Sequence, residues 1–209
     1  MSGFTFALTK GRLAKKTLEL LEKTGIRCDE MYTDTRKLVF EDPEAQIQFF
    51  LAKAGDVPTY VEYGAADLGV VGKDVLLEEH KDLYEVLDLG FGKCRMVVAG
   101  FAEGEALLRS GADFKVATKY PEIARDYFLK RHQMPEILKL SGSIELAPIV
   151  GLADVIVDIV ETGSTLKENG LVVLDTVCPI SARLVVNKAI MKIRHEEISE
   201  LIRRIGSQL

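Results

Sequence analysis

The chain predicts an α/β protein built on parallel sheets, and three observations carry that expectation. Short β-branched or apolar runs alternate with helical patterns, the order in which strand–helix–strand units are written. Several runs, among them Phe4 to Leu8 and Val155 to Val160, are apolar almost throughout and read as buried strands. The turns after these runs gather glycine, hydroxyl and charged side chains, and α/β sheets bind ligands at the carboxyl ends of their strands.

Phe4 to Leu8 opens the chain as a strand, followed by a helix over Leu13 to Lys23, where Leu13, Thr17, Leu20 and Leu21 recur at helical spacing and Gly25 suits a C-terminal cap. Further strands are expected at Lys37 to Phe40, Gln46 to Leu51, Leu68 to Val71, Met96 to Gly100, Lys115 to Thr118, Val155 to Val160 and Leu171 to Val177. Helices fit between several of them. Glu122 to Arg131 and His195 to Ile205 are the clearest, the latter with an apolar stripe of Ile198, Leu201, Ile202 and Ile205.

Composition narrows the function classes. With 47% hydrophobic and 28% charged residues over 209 positions, the chain can bury one large core or two modest ones. No apolar run approaches the roughly 18 residues that span a bilayer. The start Met1-Ser-Gly-Phe-Thr-Phe lacks the basic and apolar regions of a signal peptide, so a cytoplasmic location is expected. Net charge is −5 without a basic run, which argues against nucleic-acid binding by bulk electrostatics and requires any anion to meet a local pocket. Cys28, Cys94 and Cys178 are far apart and without a Cys-x-x-Cys pair, and His80, His132 and His195 form neither a triad nor a metal spacing.

No linker divides the chain, but a faint echo does. Gly64-Ala-Ala-Asp67 precedes the strand at Leu68, and Gly151-Leu-Ala-Asp154 precedes the strand at Val155. Two similarly built lobes or chance likeness in Ala- and Gly-rich text both account for it.

The second of these strands runs into the most informative segment, Asp158-Ile-Val-Glu161-Thr162-Gly163-Ser164-Thr165. Gly163 lets a ligand approach the backbone, turn and helix-start N–H groups point outward, and the hydroxyls of Thr162, Ser164 and Thr165 add donors, which together suit a phosphate. Asp158 and Glu161 would repel that phosphate but suit the vicinal hydroxyls of a ribose beyond it. A capping box of Thr165 and Glu168 is the structural alternative. It leaves unexplained the hydroxyls before Thr165 and the carboxylate of Asp158 within an apolar strand.

Thr9-Lys10-Gly11-Arg12 lies between the first strand and first helix. Cations at a helix N-terminus are disfavoured by about 0.3–1 kcal/mol each, a penalty that an anionic ligand reverses, and Gly11 allows close backbone approach. Solvated side chains are the other reading. Gly72 and Lys73 repeat the strand–Gly–helix-start pattern, with Asp74 open as a simple N-cap. Tyr120, at another strand end, suits either base stacking or core packing, and Glu145 either a helix cap or a substrate contact. Arg36 and Lys53 read from the residues alone as surface bases.

Taken together, these stretches resemble the ATP phosphoribosyltransferase family of histidine biosynthesis, in its short form, almost end to end. The resemblance is carried by Ala7-Leu-Thr-Lys10-Gly-Arg12-Leu13, Asp56-Val-Pro58, Gly64 through Gly72, Cys94-Arg95, Ala117-Thr-Lys-Tyr-Pro121 and the run from Glu145 through Asp154 to Leu166. Two positions depart from it: Thr9, often Pro in the family, and Lys53, often Arg, where Lys keeps the charge and loses the bidentate fork.

The resemblance implies a two-lobed periplasmic-binding-protein-like fold, each lobe a mainly parallel sheet flanked by helices. Residues 1–90 and 174–209 would form lobe I and 91–173 lobe II, with crossings near Leu89–Met96 and Gly170–Val177 and the active site in the cleft. It implies transfer of the phosphoribosyl group of 5-phosphoribosyl 1-diphosphate to N1 of ATP, with Mg²⁺ on the diphosphate. Thr162 to Thr165 would hold the 5′-phosphate, and Asp158 and Glu161 the ribose. Lys10, Arg12, Arg36 and Lys53 would surround the diphosphate and ATP phosphates, and Tyr120 would meet an adenine. A chain ending at Leu209 leaves no room for the C-terminal regulatory domain of long members. A hetero-oligomer with a histidyl-tRNA-synthetase-like regulatory subunit is therefore implied. A non-catalytic nucleotide sensor on the same fold and a transferase acting on a free base are the rival classes.

Overall fold

The computed structural model describes residues 3–33 and 36–209. The chain forms two compact units, the first made of residues up to Gly92 together with Ser181–Leu209, the second of Lys93–Ile180.

In the first unit, strands β1 (Phe4–Thr9), β2 (Val39–Asp42), β3 (Ile47–Ala52), β4 (Leu68–Gly72) and β5 (Leu83–Asp88) form one sheet with β11 (Ala182–Asn187), in the order β2-β3-β1-β4-β11-β5. Its centre, β3-β1-β4, is parallel, while β2, β11 and β5 pair antiparallel. The central strands carry no exposed apolar face: Phe6, Ala7, Leu8, Phe49 and Leu68 have no accessible surface. Helices α1 (Arg12–Glu22), α2 (Val57–Glu62) and α3 (Lys73–Glu79) follow β1, β3 and β4, and α8 (Lys188–Ile193) and α9 (His195–Gly206) close the chain. Leu18 and Leu21 of α1 and Ile198, Leu201 and Ile205 of α9 bury their stripes in one core with Phe6, Leu8 and Leu184.

The second unit holds β6 (Cys94–Gly100), β7 (Lys115–Thr118), β8 (Glu136–Lys139), β9 (Val155–Val160) and β10 (Val172–Ile180), in the order β10-β6-β9-β7-β8. Here β9-β7-β8 is the parallel part, and β10 and β6 pair antiparallel. Helices α4 (Gly104–Ser110), α5 (Pro121–Leu129), α6 (Leu146–Ile149) and α7 (Ser164–Glu168) connect the strands. Both sheets are thus mixed, with parallel pairing confined to three strands each. The antiparallel strands β10 and β11 succeed one another with only Ser181 between them, and each pairs in a different sheet. Residues 174–180, expected with lobe I, therefore belong to the second unit, because they pair with Cys94–Val98 of β6. The helix α1 ends at Glu22 with Lys23 as its C-cap, and Gly25 takes the left-handed turn beyond it, with φ 85°.

The sequence echo has a physical basis. The Asp67 N–H donates to the Thr5 carbonyl at 2.9 Å while its Oδ2 accepts the Thr5 N–H at 2.8 Å. In the second unit the Asp154 N–H donates to the Lys115 carbonyl at 3.0 Å and its Oδ2 accepts the Lys115 N–H at 2.7 Å. Each aspartate therefore clamps the start of the parallel neighbour of its own strand, β1 beside β4 and β7 beside β9. Gly64 and Gly151, at φ 73° and 71°, make the preceding turn in each copy, a conformation that favours glycine.

Asp67→Ala removes the acceptor of the part-buried Thr5 N–H and is expected to lower stability by about 1–3 kcal/mol, seen as a lower urea midpoint. Asp67→Asn keeps an acceptor and should lose less; an unchanged midpoint in Asp67→Ala would remove the clamp from the fold's requirements.

Candidate active site

Parallel pairing decides where the candidate residues stand. In the first unit Thr9 pairs with Ala52 and Leu8 with Val70, so β1, β3 and β4 end side by side. Lys10, Gly11 and Arg12 follow β1, Lys53 follows β3, and Gly72 and Lys73 follow from β4 into α3. Lys10, Arg12 and Lys53 are exposed, and the Lys10 N–H donates to the Ala52 carbonyl at 3.1 Å, which ties the first turn to the second. Gly11 is the N-cap of α1 with φ 93°, no side-chain cap is made, and the first turn carries no acidic residue. The helix thus begins on cations and open backbone, the arrangement an anion would complete. Arg36 is exposed in the segment before β2.

Lys73 departs from the expectation for it. Its ammonium lies 2.5 Å from Glu85 of β5, and Arg183 of β11 bridges Glu85 at 3.2 Å and Asp88 at 3.0 Å. A phosphate at Lys73 would have to displace that carboxylate, so its charge is already matched within the sheet edge. The Asp74 N-cap alternative is not realised either: Gly72 caps α3 without a side-chain bond. Another depression, about 440 Å³ and bounded by Phe4, Asp42 and Ile47, lies at the amino ends of β1 and β3, and no candidate residue lines it.

In the second unit β7 and β8 end together, Thr118 pairing with Lys139, while β9 runs on from Val157, the other partner of Thr118, to Val160. The buried Thr118 hydroxyl donates to the Val157 carbonyl at 2.6 Å and accepts the Tyr120 N–H at 2.9 Å, fixing this edge. Asp158 is half-buried at the next position of β9, and its Oδ1 accepts the Ile159 N–H at 2.8 Å. Burial pushes its carboxyl above the usual carboxylate range and the nearby charge of Glu145 adds to the rise, against the Ile159 N–H and the ammonium of Lys119.

Glu145 is the N-cap residue of α6 but makes no side-chain cap bond, so the capping alternative does not hold, and its charge is felt at Asp158. Tyr120 is buried, at 7% exposure, which fits the core-packing alternative rather than an exposed ring offered to a base. Lys119 was not among the expected site residues, since a lysine at a strand end reads in sequence as a solvated charge.

The turn after β9 is built as a donor surface. Gly163 takes φ 81° and caps α7, the Thr162 and Ser164 hydroxyls lie 3.2 Å apart, and the Ser164 N–H reaches Thr162 Oγ1 at 3.4 Å. Thr165 lies inside the helix and α7 has no side-chain cap, so the Thr165–Glu168 capping box is not formed. Glu161, Thr162, Ser164 and Thr165 are exposed around Gly163. Hydroxyls and backbone N–H groups on one short turn, one step beyond a half-buried carboxylate, make a surface for a phosphate joined to a diol.

The protein-family model described as HisG: ATP phosphoribosyltransferase matches residues 53–207. The chain belongs to the ATP phosphoribosyltransferase family. An ATP phosphoribosyltransferase of Lachnoclostridium phytofermentans is 65% identical over 204 residues, covering 97% of this chain and 95% of that protein. One of Ruminiclostridium cellulolyticum is 57% identical over 210 residues, covering 100% and 98%. Among solved structures, a chain of the ATP phosphoribosyl transferase (HisG:HisZ) complex of Thermotoga maritima matches with TM-score 0.82 and 35% identity over 98% of both chains. The periplasmic aliphatic sulphonate binding protein SsuA of Escherichia coli matches with TM-score 0.63 at 14% identity, over 100% of this chain and 72% of that one, a likeness of fold alone.

The raised pKa of Asp158 has a stability consequence. Its ionised form is penalised only when folded, so the cost appears as pH rises from the ordinary carboxylate range through the raised value and persists above it. Asp158→Asn is expected to raise the unfolding midpoint of the ligand-free protein at neutral pH and to lose that advantage in acid. Equal midpoints at neutral pH would show that the folded state carries no such cost.

Proposed function

We propose that this chain transfers the phosphoribosyl group of 5-phosphoribosyl 1-diphosphate to N1 of ATP, giving phosphoribosyl-ATP and pyrophosphate, the first step of histidine biosynthesis. The observation that carries the reading is the succession, at the end of β9, of a half-buried Asp158 and the hydroxyl turn Thr162–Thr165, within a chain whose relatives along nearly its whole length bear that enzyme's name.

In the reaction the C1′–oxygen bond to the diphosphate breaks as N1 of ATP bonds to C1′. Diphosphate is already a good leaving group, so the protein's task is to align N1 with C1′ and to stabilise charge on the departing oxygens. Thr162, Gly163, Ser164 and Thr165 hold the 5′-phosphate, and Asp158 and Glu161 accept from the ribose hydroxyls. The cations Lys10, Arg12, Arg36 and Lys53, with the open backbone at Gly11, serve the diphosphate and the ATP phosphates. Lys73 and Tyr120 have structural roles instead, an ion pair and a core ring.

Mg²⁺ is proposed to accompany the diphosphate. This ion keeps several waters and binds substrate phosphates more readily than all-protein cages. Among the described residues no group of three or more His, Cys, Asp or Glu is arranged to hold a metal. Bound there, it would neutralise diphosphate charge. The HisG:HisZ complex that contains the Thermotoga maritima chain supports a hetero-oligomer with a HisZ subunit; that this subunit is histidyl-tRNA-synthetase-like and carries feedback by histidine is part of the proposal. No helix among the described residues is long and apolar enough to cross a membrane, and a cytoplasmic location is proposed.

Pyrophosphate release from 5-phosphoribosyl 1-diphosphate, Mg²⁺ and ATP, measured with and without the regulatory subunit, tests the assignment. Release that requires ATP is expected; none under either condition would refute it. Thr165→Ala should weaken binding of the phosphoribosyl donor by about tenfold, the worth of one lost charge-assisted hydrogen bond, while sparing ATP. The reverse order of effects would move the phosphate elsewhere.

A further inference from the structure

We infer that Arg95, the second residue of β6, is a further ligand of the donor's 5′-phosphate, its guanidinium meeting that phosphate beside the hydroxyl turn Thr162–Thr165. The inference rests on the proposed function and adds to it a cation from a neighbouring strand of the same unit.

Register sets the geometry. In the antiparallel ladder of β6 and β9, Arg95 pairs with Val160 and Val97 with Asp158, so Arg95 stands opposite the last residue of β9 and is the diagonal neighbour of Asp158. Opposed residues, and residues two apart along one strand, share a face, which puts the side chains of Arg95, Val97, Asp158 and Val160 on one side of the sheet. Helix α7 covers that same side, since its Leu166 is buried in one cluster with Val97 and Val160. The turn from Glu161 to Thr165, which leads from Val160 to Leu166, therefore folds over the face and the strand end that carry Arg95. Val97 and Val160 are buried, whereas Arg95 is exposed, and its guanidinium makes no ion pair or hydrogen bond among the described residues. Its ladder partner on the other side, Pro179 of β10, brings no charge.

This placement answers a need that the turn creates. A phosphate monoester carries about −1.5 to −2 charge at pH 7, its second ionisation falling near pH 6. Thr162, Gly163, Ser164 and Thr165 offer it hydroxyls and N–H groups but no cation, and Glu161 stands at the start of the same turn. Arg95 supplies the counter-charge from the adjacent strand. The planar fork of an arginine gives a phosphate two parallel bonds, whereas a lysine acts as a point charge. Because the side chain is exposed, it can turn to the ligand without leaving a core contact.

The test is the ³¹P spectrum of 5-phosphoribosyl 1-diphosphate bound with Mg²⁺ to the intact chain, followed across about pH 5 to 8, the range of the second ionisation of the 5′-phosphate. The 5′-phosphorus and the diphosphate phosphorus atoms give separate signals. Wild type, Arg95→Gln and Arg95→Lys are compared at saturating donor, with donor and ATP affinities taken by calorimetry. In wild type the bound 5′-phosphate is expected to titrate below its free value, because the guanidinium favours the dianion. Arg95→Gln should move that titration toward the free value, leave the diphosphate signals in place, and weaken donor binding by about tenfold or more while sparing ATP. Arg95→Lys should restore the titration and only part of the affinity. An unchanged 5′-phosphate titration in Arg95→Gln would overturn the inference whatever the affinity, and movement of the diphosphate signals alone would do so by placing Arg95 on the leaving group. If wild type itself fails to bind the donor, the proposed function falls instead. Unfolding midpoints should match wild type in Arg95→Gln, and a large drop would return the residue to a structural role.

Discussion

Parallel pairing of three strands in each unit is the constraint on which the rest of the structure depends. It brings Thr9, Ala52 and Gly72 to one edge of the first sheet and Thr118, Lys139 and Val160 to one edge of the second. Turns at those ends need not bury side chains, so they are where glycine, hydroxyls and charges can be placed. The apolar strands behind them, with Ala7, Leu8, Ile156 and Val157 fully buried, make the edge stiff. Asp67 and Asp154 clamp the opposite, starting ends of β1 and β7, so register is held before the functional turn is reached. A slip of one residue would turn the side chain of Asp158 to the other face of the sheet.

Charge is then distributed against the whole-chain balance. An overall charge of −5 would repel polyphosphates, and the first unit meets this locally, with Lys10 and Arg12 at a helix start that has no acidic residue in its first turn. The second unit does the reverse, placing Asp158 and Glu145 near a turn of neutral donors. Cations at the turns of the first unit suit phosphate groups, and carboxylates beside neutral donors in the second suit a diol joined to a phosphate. Neutral hydroxyl and N–H donors bind a phosphate without the ion pair that neighbouring carboxylates would compete for. The helix α7 has five residues, so its dipole adds little, and the donors themselves must supply the binding.

Much of this was legible in the residues. Lys115–Thr118 and Val155–Val160 are strands with the expected bounds, because their buried runs Val116–Thr118 and Val155–Val157 leave little ambiguity. The edge strands Leu83–Asp88 and Glu136–Lys139 were not foreseen: solvent on one side lets them carry Glu, Asp and Lys, which erases the apolar run. Ala182–Asn187 was hidden because only Ser181 separates it from β10. The partner of Lys73 followed from the same omission, since Glu85 lies on β5. Tyr120 and Lys119 show the opposite limit. Burial of the ring comes from tertiary packing, and the charge of Lys119 acts on Asp158 from another segment, so local sequence could say neither.

The most direct measurement is an amide chemical-shift titration of the intact protein with 5-phosphoribosyl 1-diphosphate and Mg²⁺. The expected result is saturable shifts at Asp158–Thr165, the turn after β9 of the second unit. Shifts that leave Asp158–Thr165 unmoved, or that centre on the amino ends of β1 and β3, would contradict the placement of the phosphate turn at the carboxyl end of β9.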